Sequence, residues 1–374
     1  MRITIVLGAF FPVPPTMGGG VEKVWFALAP EFAKRGHDVT MISRKTANLP
    51  RLETRDGVKH IRLNGFDTPR SLIWLKLLDL IYSVRVMSIL PAADIIVTNT
   101  FWLPILLRNP KHGKVYVQVA RYPKGQMRFY GRAARLQAPS HAVARAIVAE
   151  APQLAGNVSV VPNPVPAPMQ AAPTLISQRE KIALYVGRLH PEKGVHLLVE
   201  AFARGTRAAL NEWKLMIVGP TETRLGGGGE DYLSSLRSLA KDAKIDFVPA
   251  IFDPTELARR FQSARLFVYP SLAERGESFG LAPLEAMAHG CAVLVSNLGC
   301  FEDFIRDGET GFVFDHRGDA PVETLRTKID NLIADEARLE QVAARGRQKS
   351  AEYSVQRVAG QFLKDFELVI HKHV

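Results

Sequence analysis

The chain has 374 residues, of which 47% are hydrophobic and 23% charged, and this composition excludes both a disordered polypeptide and a single ordinary domain. The two cysteines, Cys291 and Cys300, are too few for a disulfide framework or a four-cysteine zinc site. Since the sequence has no run of eighteen apolar residues and no signal-peptide pattern at its start, we expect a cytoplasmic protein without a transmembrane helix.

The net charge of +11 is concentrated in the first part of the chain. Residues 1–165 hold 22 Lys and Arg against 9 Asp and Glu, a net charge of +13, whereas residues 166–374 hold 26 against 28, a net charge of −2. A basic region can bind anionic lipid, a phosphorylated substrate or nucleic acid, or it can be a solvated surface. No nucleic-acid partner is expected, because the sequence lacks the helix-turn-helix, zinc-finger and RNA-recognition patterns.

The first half predicts strands that alternate with helices. A run of branched apolar residues over Arg2–Leu7 predicts a buried parallel strand, and a loop rich in proline and glycine separates it from an amphipathic helix over Val21–Arg35. This order implies a parallel sheet with right-handed crossovers. Further strands are predicted at Val39–Ile42, Asp94–Thr98, Val115–Val119 and Val158–Val161.

Residues 71–87 are far more apolar than the rest of this half. Their polar residues Lys76, Asp79 and Ser83 fall on one narrow stripe at helical spacing. The remaining apolar surface is wider than one core-facing face requires. Two interpretations stay open: a helix buried on most of its sides, which we favour, or an interfacial helix that dips into a bilayer beside basic residues.

A second series of alternating elements follows the proline-rich connection Val161–Pro168. Two such series joined by a stiff linker predict an α/β protein with two Rossmann-like, doubly wound domains that face each other across a cleft. We place these domains at 1–165 and 166–355, and we expect a C-terminal helix over 356–374 to pack back on the first. The second series predicts strands at Ile182–Val186, Leu215–Val218, Asp246–Val248, Leu266–Tyr269, Ala292–Ser296 and Gly311–Phe314, and helical structure from about Ala320.

Two glycine-containing clusters have the chemistry to bind phosphate. In the run Gly18–Gly20, glycine permits close approach of a ligand, and the amides of the following helix N-terminus attract an anion. In Tyr185–Gly194, Arg188 ends a strand and Lys193 begins the next helix, and two fixed cations at that place suit a diphosphate. Taken alone, each cluster also fits an ordinary turn or a pair of surface charges.

A third cluster, Tyr269–Gly290, contains two glutamates eight positions apart. Glu277 lies in a loop, Glu285 lies in the following helix, and the backbone amides of Ser278–Leu281 lie between them at the predicted helix N-terminus. Carboxylates that accept and amides that donate hydrogen bonds suit a hydroxyl-rich ligand such as a sugar. Either glutamate alone is equally consistent with a solvated or helix-terminal charge.

The stretch from Glu277 to Glu285 resembles the E-x7-E motif of the retaining GT-B glycosyltransferases of glycosyltransferase family 4. The stretch Gly187–Gly194 resembles the G-R-x-x-x-E-K-G segment of the same family. Three further segments resemble family segments in the same chain order, so that the resemblance spans nearly the whole sequence: Gly19–Glu22, Pro139–Ser140 and Val161–Asn163.

The resemblance implies that a hexose moves from a UDP- or GDP-sugar to a hydroxyl acceptor with retention at the anomeric carbon. It implies catalytic roles for Arg188 and Lys193, which would neutralise the diphosphate, and for Glu277, which would hold the sugar. Glu285 would bind the ribose. No metal ion and no cofactor is implied, because cations and a helix dipole stabilise the leaving group. The implied binding residues for the sugar donor are Gly19, Gly20, Arg188, Lys193, Glu277, Ser278, Phe279, Gly280, Leu281 and Glu285.

The first domain departs from the family pattern. Many members carry a histidine after a strand of this domain, but the corresponding stretch Val117–Tyr122 has none. Arg121 or another group would then take its place.

The charge and the apolar segment of the first domain bear on the acceptor. Together they fit a lipid-linked saccharide in polysaccharide or cell-envelope biosynthesis, such as that of lipopolysaccharide. The expected partners are a nucleotide sugar, a lipid-linked or saccharide acceptor and an anionic membrane surface, with peripheral attachment at the inner face of the membrane. Two other functions stay open: a nucleotide-sugar epimerase, which needs no acceptor, and a non-catalytic subunit that binds a sugar nucleotide.

Overall fold

The computed structural model describes residues 1–69, 71–166, 174–205 and 212–371. The chain forms two compact units, one of Met1–Pro166 with Tyr353–Val374 and one of Ala167–Glu352. Each unit is built on one sheet of mostly parallel strands flanked by helices. The predicted α/β class with two doubly wound sheets is therefore confirmed.

The sheet of the first unit has eight strands in the order β3-β4-β2-β1-β5-β6-β7-β8. All neighbouring strands pair in parallel except β3 and β4, which form an antiparallel hairpin at the edge. The strands are β1 (Arg2–Val6), β2 (Asp38–Lys45), β3 (Leu52–Arg55), β4 (Val58–Asn64), β5 (Ile95–Thr98), β6 (Lys114–Gln118), β7 (Arg135–Ala138) and β8 (Val158–Val160). The helices are α1 (Gly20–Lys34), α2 (Leu72–Ile89), α3 (Leu103–Leu106), α4 (His141–Glu150) and, from the end of the chain, α11 (Val355–His371).

The C-terminal helix α11 belongs to the first unit. Its Phe362 ring lies 5.1 Å from the Trp25 ring of α1. Its Asp365 carboxylate accepts a hydrogen bond from Tyr116 of β6 at 2.8 Å and pairs with Arg135 of β7 at 2.8 Å. Aromatic packing and a charge cluster thus hold the last helix against this sheet.

The second unit has a fully parallel sheet of six strands in the order β11-β10-β9-β12-β13-β14. Its strands are β9 (Glu180–Val186), β10 (Lys214–Val218), β11 (Ile245–Val248), β12 (Ala264–Tyr269), β13 (Ala292–Ser296) and β14 (Phe312–Phe314). Its helices are α5 (Val195–Ala203), α6 (Glu230–Ala240), α7 (Pro254–Ser263), α8 (Leu281–Ala288), α9 (Pro321–Ala334) and α10 (Glu336–Ser350). All six strands predicted for this half are present, with ends within two residues of the prediction.

The sequence analysis did not predict β3, β4 and β7. Charged or polar residues break the apolar pattern in all three strands, as in β4, where His60 and Arg62 are buried. The Arg62 guanidinium is fully buried because Glu53 and the carbonyl oxygens of Val13 and Pro50 accept its hydrogen bonds. Burial of a charge that is satisfied in this way is invisible to a hydrophobic pattern.

Helix α2 contradicts the favoured interpretation of residues 71–87. The segment is helical over Leu72–Ile89, but its polar residues Asp79 and Ser83 are buried. The apolar face is turned outward, with Ile73 81% exposed. The prediction of a helix buried on most of its sides is therefore wrong. The exposed apolar residues of α2 are Leu72, Ile73, Trp74, Leu77, Ile81, Val84 and Met87.

Hydrogen bonds on the polar side of α2 explain this orientation. The Asp79 carboxylate accepts from the backbone N–H groups of Phe101 and Trp102 at 3.0 and 3.2 Å, ahead of α3. The Trp102 indole N–H donates to the carbonyl of Lys76 at 2.8 Å. Burial raises the pKa of Asp79 to about 6. Across the described ranges, no helix has the combination of length and hydropathy that crossing a bilayer requires.

Candidate functional site

Two of the predicted catalytic residues meet in the second unit. Lys193 lies in the turn after β9, and Glu277 lies in the loop after β12, the neighbouring strand of the sheet. Because parallel strands bring their carboxyl ends to the same edge, the two loops are adjacent. The Lys193 Nζ atom lies 2.6 Å from Glu277 Oε2, and the side chains are only 7% and 12% exposed. The pair is therefore a buried ion pair.

Two hydroxyl groups also bind the Glu277 carboxylate. Tyr269 at the end of β12 donates to Oε2 at 3.0 Å, and Ser271 donates to the same oxygen at 3.3 Å. The Tyr269 ring stacks on Tyr185 of β9 at 5.7 Å. Burial, followed by the charge of Glu277, raises the pKa of Tyr269 well above its ordinary value, which keeps the phenol protonated as a donor. Glu277 is thereby held in one orientation by three donors.

Arg188, the third predicted catalytic residue, lies two residues after the end of β9. Its guanidinium donates to the Gly226 carbonyl at 2.7 Å and to Glu192 Oε1 at 2.6 Å. Gly226 begins the glycine run Gly226–Gly229. In the structure this residue supports Arg188, whose side chain stays 40% exposed. Arg188 is thus positioned yet open to a ligand.

One backbone hydrogen bond joins the two loops, and one side-chain hydrogen bond holds the Arg188 loop to β9. The amide of Leu272, in the Glu277 loop, donates to the Glu192 carbonyl at 2.8 Å. Tyr185 donates through its hydroxyl to the Arg188 carbonyl at 2.9 Å. The positions of the cations and of the carboxylate are therefore fixed jointly before any ligand binds, which is the condition for electrostatic preorganisation.

The E-x7-E segment ends in the N-terminus of α8. Gly280 caps this helix with φ +86°, and a Cβ atom there would lie 2.3 Å from Cε1 of Phe301, so only glycine fits. Without a side chain Gly280 cannot cap the first helical amides itself. Phe279 is buried against Phe304 at 5.4 Å, which leaves only its backbone to meet a ligand.

The remaining residues of the segment differ in exposure. Ser278 and Leu281 are half-buried at the junction of the loop and α8, and Glu285 is buried within the helix. Their predicted contacts with the sugar donor stay predictions.

The glycine loop of the first unit precedes α1. Gly19 caps the helix with φ +98°, and a Cβ atom there would lie 2.2 Å from Glu22 Oε2. Glu22 is buried, which raises its pKa to about 7, and the charge of Arg121 partly opposes this rise. Gly19 and Gly20 belong to the first unit and the other predicted binding residues to the second, so their common role stays a prediction.

The sequence analysis gave no role to the residues that support the site. Tyr269 and Ser271 were visible only as ordinary strand and loop residues, whereas Glu192 and Glu22 lie in two of the family-like segments but were given no role of their own. A tyrosine at the last position of a buried strand was the one available signal, because a buried phenol needs a hydrogen-bond partner. In the part of the chain that the structure describes, no three His, Cys, Asp or Glu residues are grouped so as to hold a metal ion.

Two family models match this chain. The model described as Glycosyltransferase Family 4 matches residues 18–167, and the model described as Glycosyl transferases group 1 matches residues 169–349.

Some relatives match about half of this chain at 30% identity, and another matches nearly all of it at lower identity. The lipopolysaccharide 1,2-N-acetylglucosaminetransferase of Salmonella typhimurium is 30% identical over 50% of this chain and 48% of its own length. The capsular polysaccharide biosynthesis glycosyltransferase CapM of Staphylococcus aureus is 30% identical over 44% of this chain and 40% of its own length. The spore coat protein SA of Bacillus subtilis is 23% identical, over 98% of this chain and 99% of its own length. At 30% identity, this chain thus spans less than half the length of the relatives it matches.

Solved structures resemble the whole chain. Sucrose-phosphate synthase from Thermosynechococcus elongatus has a TM-score of 0.76 at 20% identity, covering 100% of both chains. Anabaena HepE in complex with UDP and glucose has a TM-score of 0.74 at 17% identity, covering 98% of this chain and 99% of that one. These likenesses establish the fold and confirm the predicted GT-B architecture. With family models matching nearly its full length, the chain belongs to the GT-B glycosyltransferases, with a family 4 domain followed by a group 1 domain.

Proposed function

We propose that the protein is a retaining hexosyltransferase that uses a UDP- or GDP-sugar without a metal ion. The observation that carries the proposal is the buried Lys193–Glu277 pair with Arg188 on the same loop as Lys193. Cations and a carboxylate are thus held together at the carboxyl ends of β9 and β12, where doubly wound sheets bind ligands.

Departure of the diphosphate is the step that the cations would assist. Arg188, anchored by the Gly226 carbonyl and by Glu192, offers its remaining N–H groups to phosphate oxygens, and Lys193, which is paired with Glu277, adds a point charge. The N-terminus of α8 adds its dipole and amides. These groups favour the charge that develops on the leaving diphosphate, so they lower the barrier more than they strengthen substrate binding.

Orientation of the sugar is the role proposed for Glu277. Its carboxylate and the amides of Phe279–Leu281 accept from and donate to sugar hydroxyls, and Glu285 binds the ribose. Retention follows if the acceptor hydroxyl enters on the face from which the diphosphate leaves, with a phosphate oxygen taking its proton. No protein base is then required in the first unit, which agrees with the lack of the family histidine there.

The acceptor is proposed to be a lipid-linked saccharide at an anionic membrane surface. The charge of +13 in residues 1–165 and the outward apolar face of α2 support this choice. The names of the lipopolysaccharide and capsular polysaccharide relatives support a role in cell-envelope biosynthesis.

A thermal-shift panel of UDP- and GDP-sugars tests binding of the sugar donor, since a ligand of the folded state raises its apparent stability. We expect at least one of them to raise Tm, and the Arg188→Ala variant to lose this shift. Arg260→Ala is the matched control, because Arg260 has similar exposure and a similar i,i+4 glutamate partner on α7. No shift with any nucleotide sugar would overturn the proposal.

A turnover assay with the selected nucleotide sugar then separates the functions. Transfer to a lipid-linked acceptor pool supports the proposal, and transfer to water-soluble saccharides alone would overturn its lipid part. An epimerised nucleotide sugar formed without acceptor would indicate an epimerase. Binding without hydrolysis or transfer would indicate a non-catalytic subunit.

A further inference from the structure

The first unit contains a cavity of about 430 Å³ that the proposed transfer chemistry does not use. It lies where β2 and β4 end, since Lys45 and Asn64, the last residues of these strands, both line it and pair in register. The carboxyl ends of parallel strands are the usual ligand side of a doubly wound sheet. The other polar residues of its lining are Arg51, Arg62, Arg85 and Ser88.

The lining of this cavity holds four cations and no carboxylate. One cation, Arg62, is neutralised from outside the lining by Glu53 at 2.7 Å. The hydrogen bond and charge of Arg62 lower the pKa of Glu53, which keeps this carboxylate ionised. Arg62 therefore lines the cavity without adding net charge, and the three other cations of the lining are left to bind an anionic ligand.

The three remaining cations are Lys45, Arg51 and Arg85. Lys45 and Arg51 are exposed, and neither forms an ion pair within the described ranges. Arg85 is held in place, because it donates to the Asn64 carbonyl at 3.0 Å and lies over the Phe66 ring at 5.2 Å. Like charges around one cavity repel each other unless an anion joins them, so the lining has the chemistry of a phosphate site.

Helix α2 links this cavity to an apolar surface. Arg85 and Ser88 of the cavity lie near the C-terminal end of α2, one helical turn beyond Ile81 and Val84 of an exposed apolar stripe on the same face. The stripe follows helical spacing over Ile73, Leu77, Ile81 and Val84. An exposed apolar stripe would contribute nothing to the binding of a free phosphate ion. An apolar face beside exposed cations is instead the pattern of a helix that lies in a membrane interface.

We propose that the cavity binds the phosphate of a lipid headgroup while the outer face of α2 lies among the acyl chains of the same bilayer. This site rests on, and sharpens, the membrane setting of the proposed function. Its occupancy requires no sugar transfer, so the two proposals fail separately.

Co-sedimentation with phosphatidylcholine vesicles, with and without phosphatidylglycerol, tests the cavity. We expect a preference for phosphatidylglycerol that falls roughly 30-fold in Lys45→Gln/Arg51→Gln, from the usual contribution of two basic residues at an anionic surface. The matched control is Arg108→Gln/Lys111→Gln, which removes the same charge at exposed positions before β6, a strand three places away from β2 in the sheet. Equal losses in both double variants would show diffuse attraction and overturn the site.

A soluble phosphate distinguishes the source of the ligand. Glycerol 3-phosphate at constant ionic strength should displace the wild-type protein from phosphatidylglycerol vesicles and leave the residual binding of Lys45→Gln/Arg51→Gln unchanged. Binding of glycerol 3-phosphate by a protein that shows no preference for phosphatidylglycerol would overturn the lipid assignment in favour of a free phosphate.

Substitutions on the exposed apolar face of α2 test the acyl-chain contact. Trp74→Ser/Ile81→Ser changes exposed residues, so Tm should hold while vesicle binding falls roughly tenfold. Light scattering measures the oligomeric state of the wild type and of this variant. If the wild type is a dimer, the variant is a monomer and vesicle binding is unchanged, the apolar face binds a second copy of the chain and the proposal is overturned. If a nucleotide sugar still raises Tm in all these variants, binding of the sugar donor does not depend on the cavity or on the apolar face of α2.

Discussion

The two glycine-capped helices, α1 of the first unit and α8 of the second, share one local design. In each, a strand leads through a loop to a glycine with positive φ at the helix N-cap, and a glutamate lies close by in sequence. Their glutamates nevertheless differ. Glu277 is neutralised by Lys193 at 2.6 Å, whereas the buried Glu22 has no ion pair among the described residues and its pKa is raised to about 7.

This difference shows that the local motif does not decide the charge state of its carboxylate. Lys193 reaches Glu277 because β9 and β12 are neighbours in the sheet. The charge of Arg121 acts on Glu22, but the two residues form no ion pair among the described residues. A glutamate held in an ion pair is suited to orienting a substrate, whereas the raised pKa of Glu22, about 7, leaves that carboxyl partly protonated at neutral pH.

Loss of the partner of Glu277 should have the largest effect. Lys193→Met leaves a carboxylate buried without a counter-charge, so we expect the free energy of unfolding to fall by about 3–5 kcal/mol and turnover to fall by roughly 100-fold or more. Urea unfolding and a transfer assay measure the two. Tyr269→Phe, which removes one hydrogen bond to Glu277, should cost only about 1 kcal/mol. Equal effects of both variants would contradict the dominance of the ion pair.

The glycine that caps α8 should come next. Gly280→Ala combines a left-handed backbone with a Cβ atom 2.3 Å from Phe301, so we expect a loss of about 2–5 kcal/mol in the free energy of unfolding. Chemical denaturation of the purified variant measures it. A variant as stable as the wild type would mean that the Phe301 ring moves aside at little cost.

The titration of Glu22 should give a smaller, pH-dependent effect. Its pKa in the folded state, about 7, lies above the ordinary value of 4.5, so the folded protein binds more protons between these values. Stability from this group is therefore full below pH 4.5, falls as pH rises through 7, and is lower above it by up to about 3 kcal/mol. The difference in unfolding free energy between wild type and Glu22→Gln, followed against pH, isolates the group. A difference that does not change with pH would refute the titration.

The smallest effect on stability is expected at Gly20, the first residue of α1. An added Cβ atom there meets nothing within 4 Å, so Gly20→Ala should change the free energy of unfolding by less than about 0.5 kcal/mol. If the backbone at this position approaches a phosphate of the sugar donor, the methyl group should still weaken binding, roughly tenfold in Kd. Isothermal titration with the nucleotide sugar checks this. Unchanged affinity would remove Gly20 from the proposed binding residues.

The sequence was sufficient for much of the fold. The buried strands of the second unit can be recognised in the sequence as short apolar runs, because both faces of a parallel sheet are buried. The hairpin β3–β4 escaped prediction because a charge such as Arg62 can be buried when neighbours satisfy its hydrogen bonds. The candidate site was also predicted only in part. The sequence analysis identified Arg188, Lys193 and Glu277, but it did not identify Tyr269 and Ser271, which support Glu277.

By itself, the sequence determined where most of the strands lie, which half carries the positive charge and which short motifs hold cations, glycines and carboxylates. Only the tertiary structure decided that Lys193 meets Glu277, that Glu22 lacks such a partner, and that α2 turns its apolar side outward. The physical reason is common to all three. Each depends on which strand or loop lies next to a group in space, and the energy of burying a charge or an apolar face is set by that neighbour rather than by local sequence.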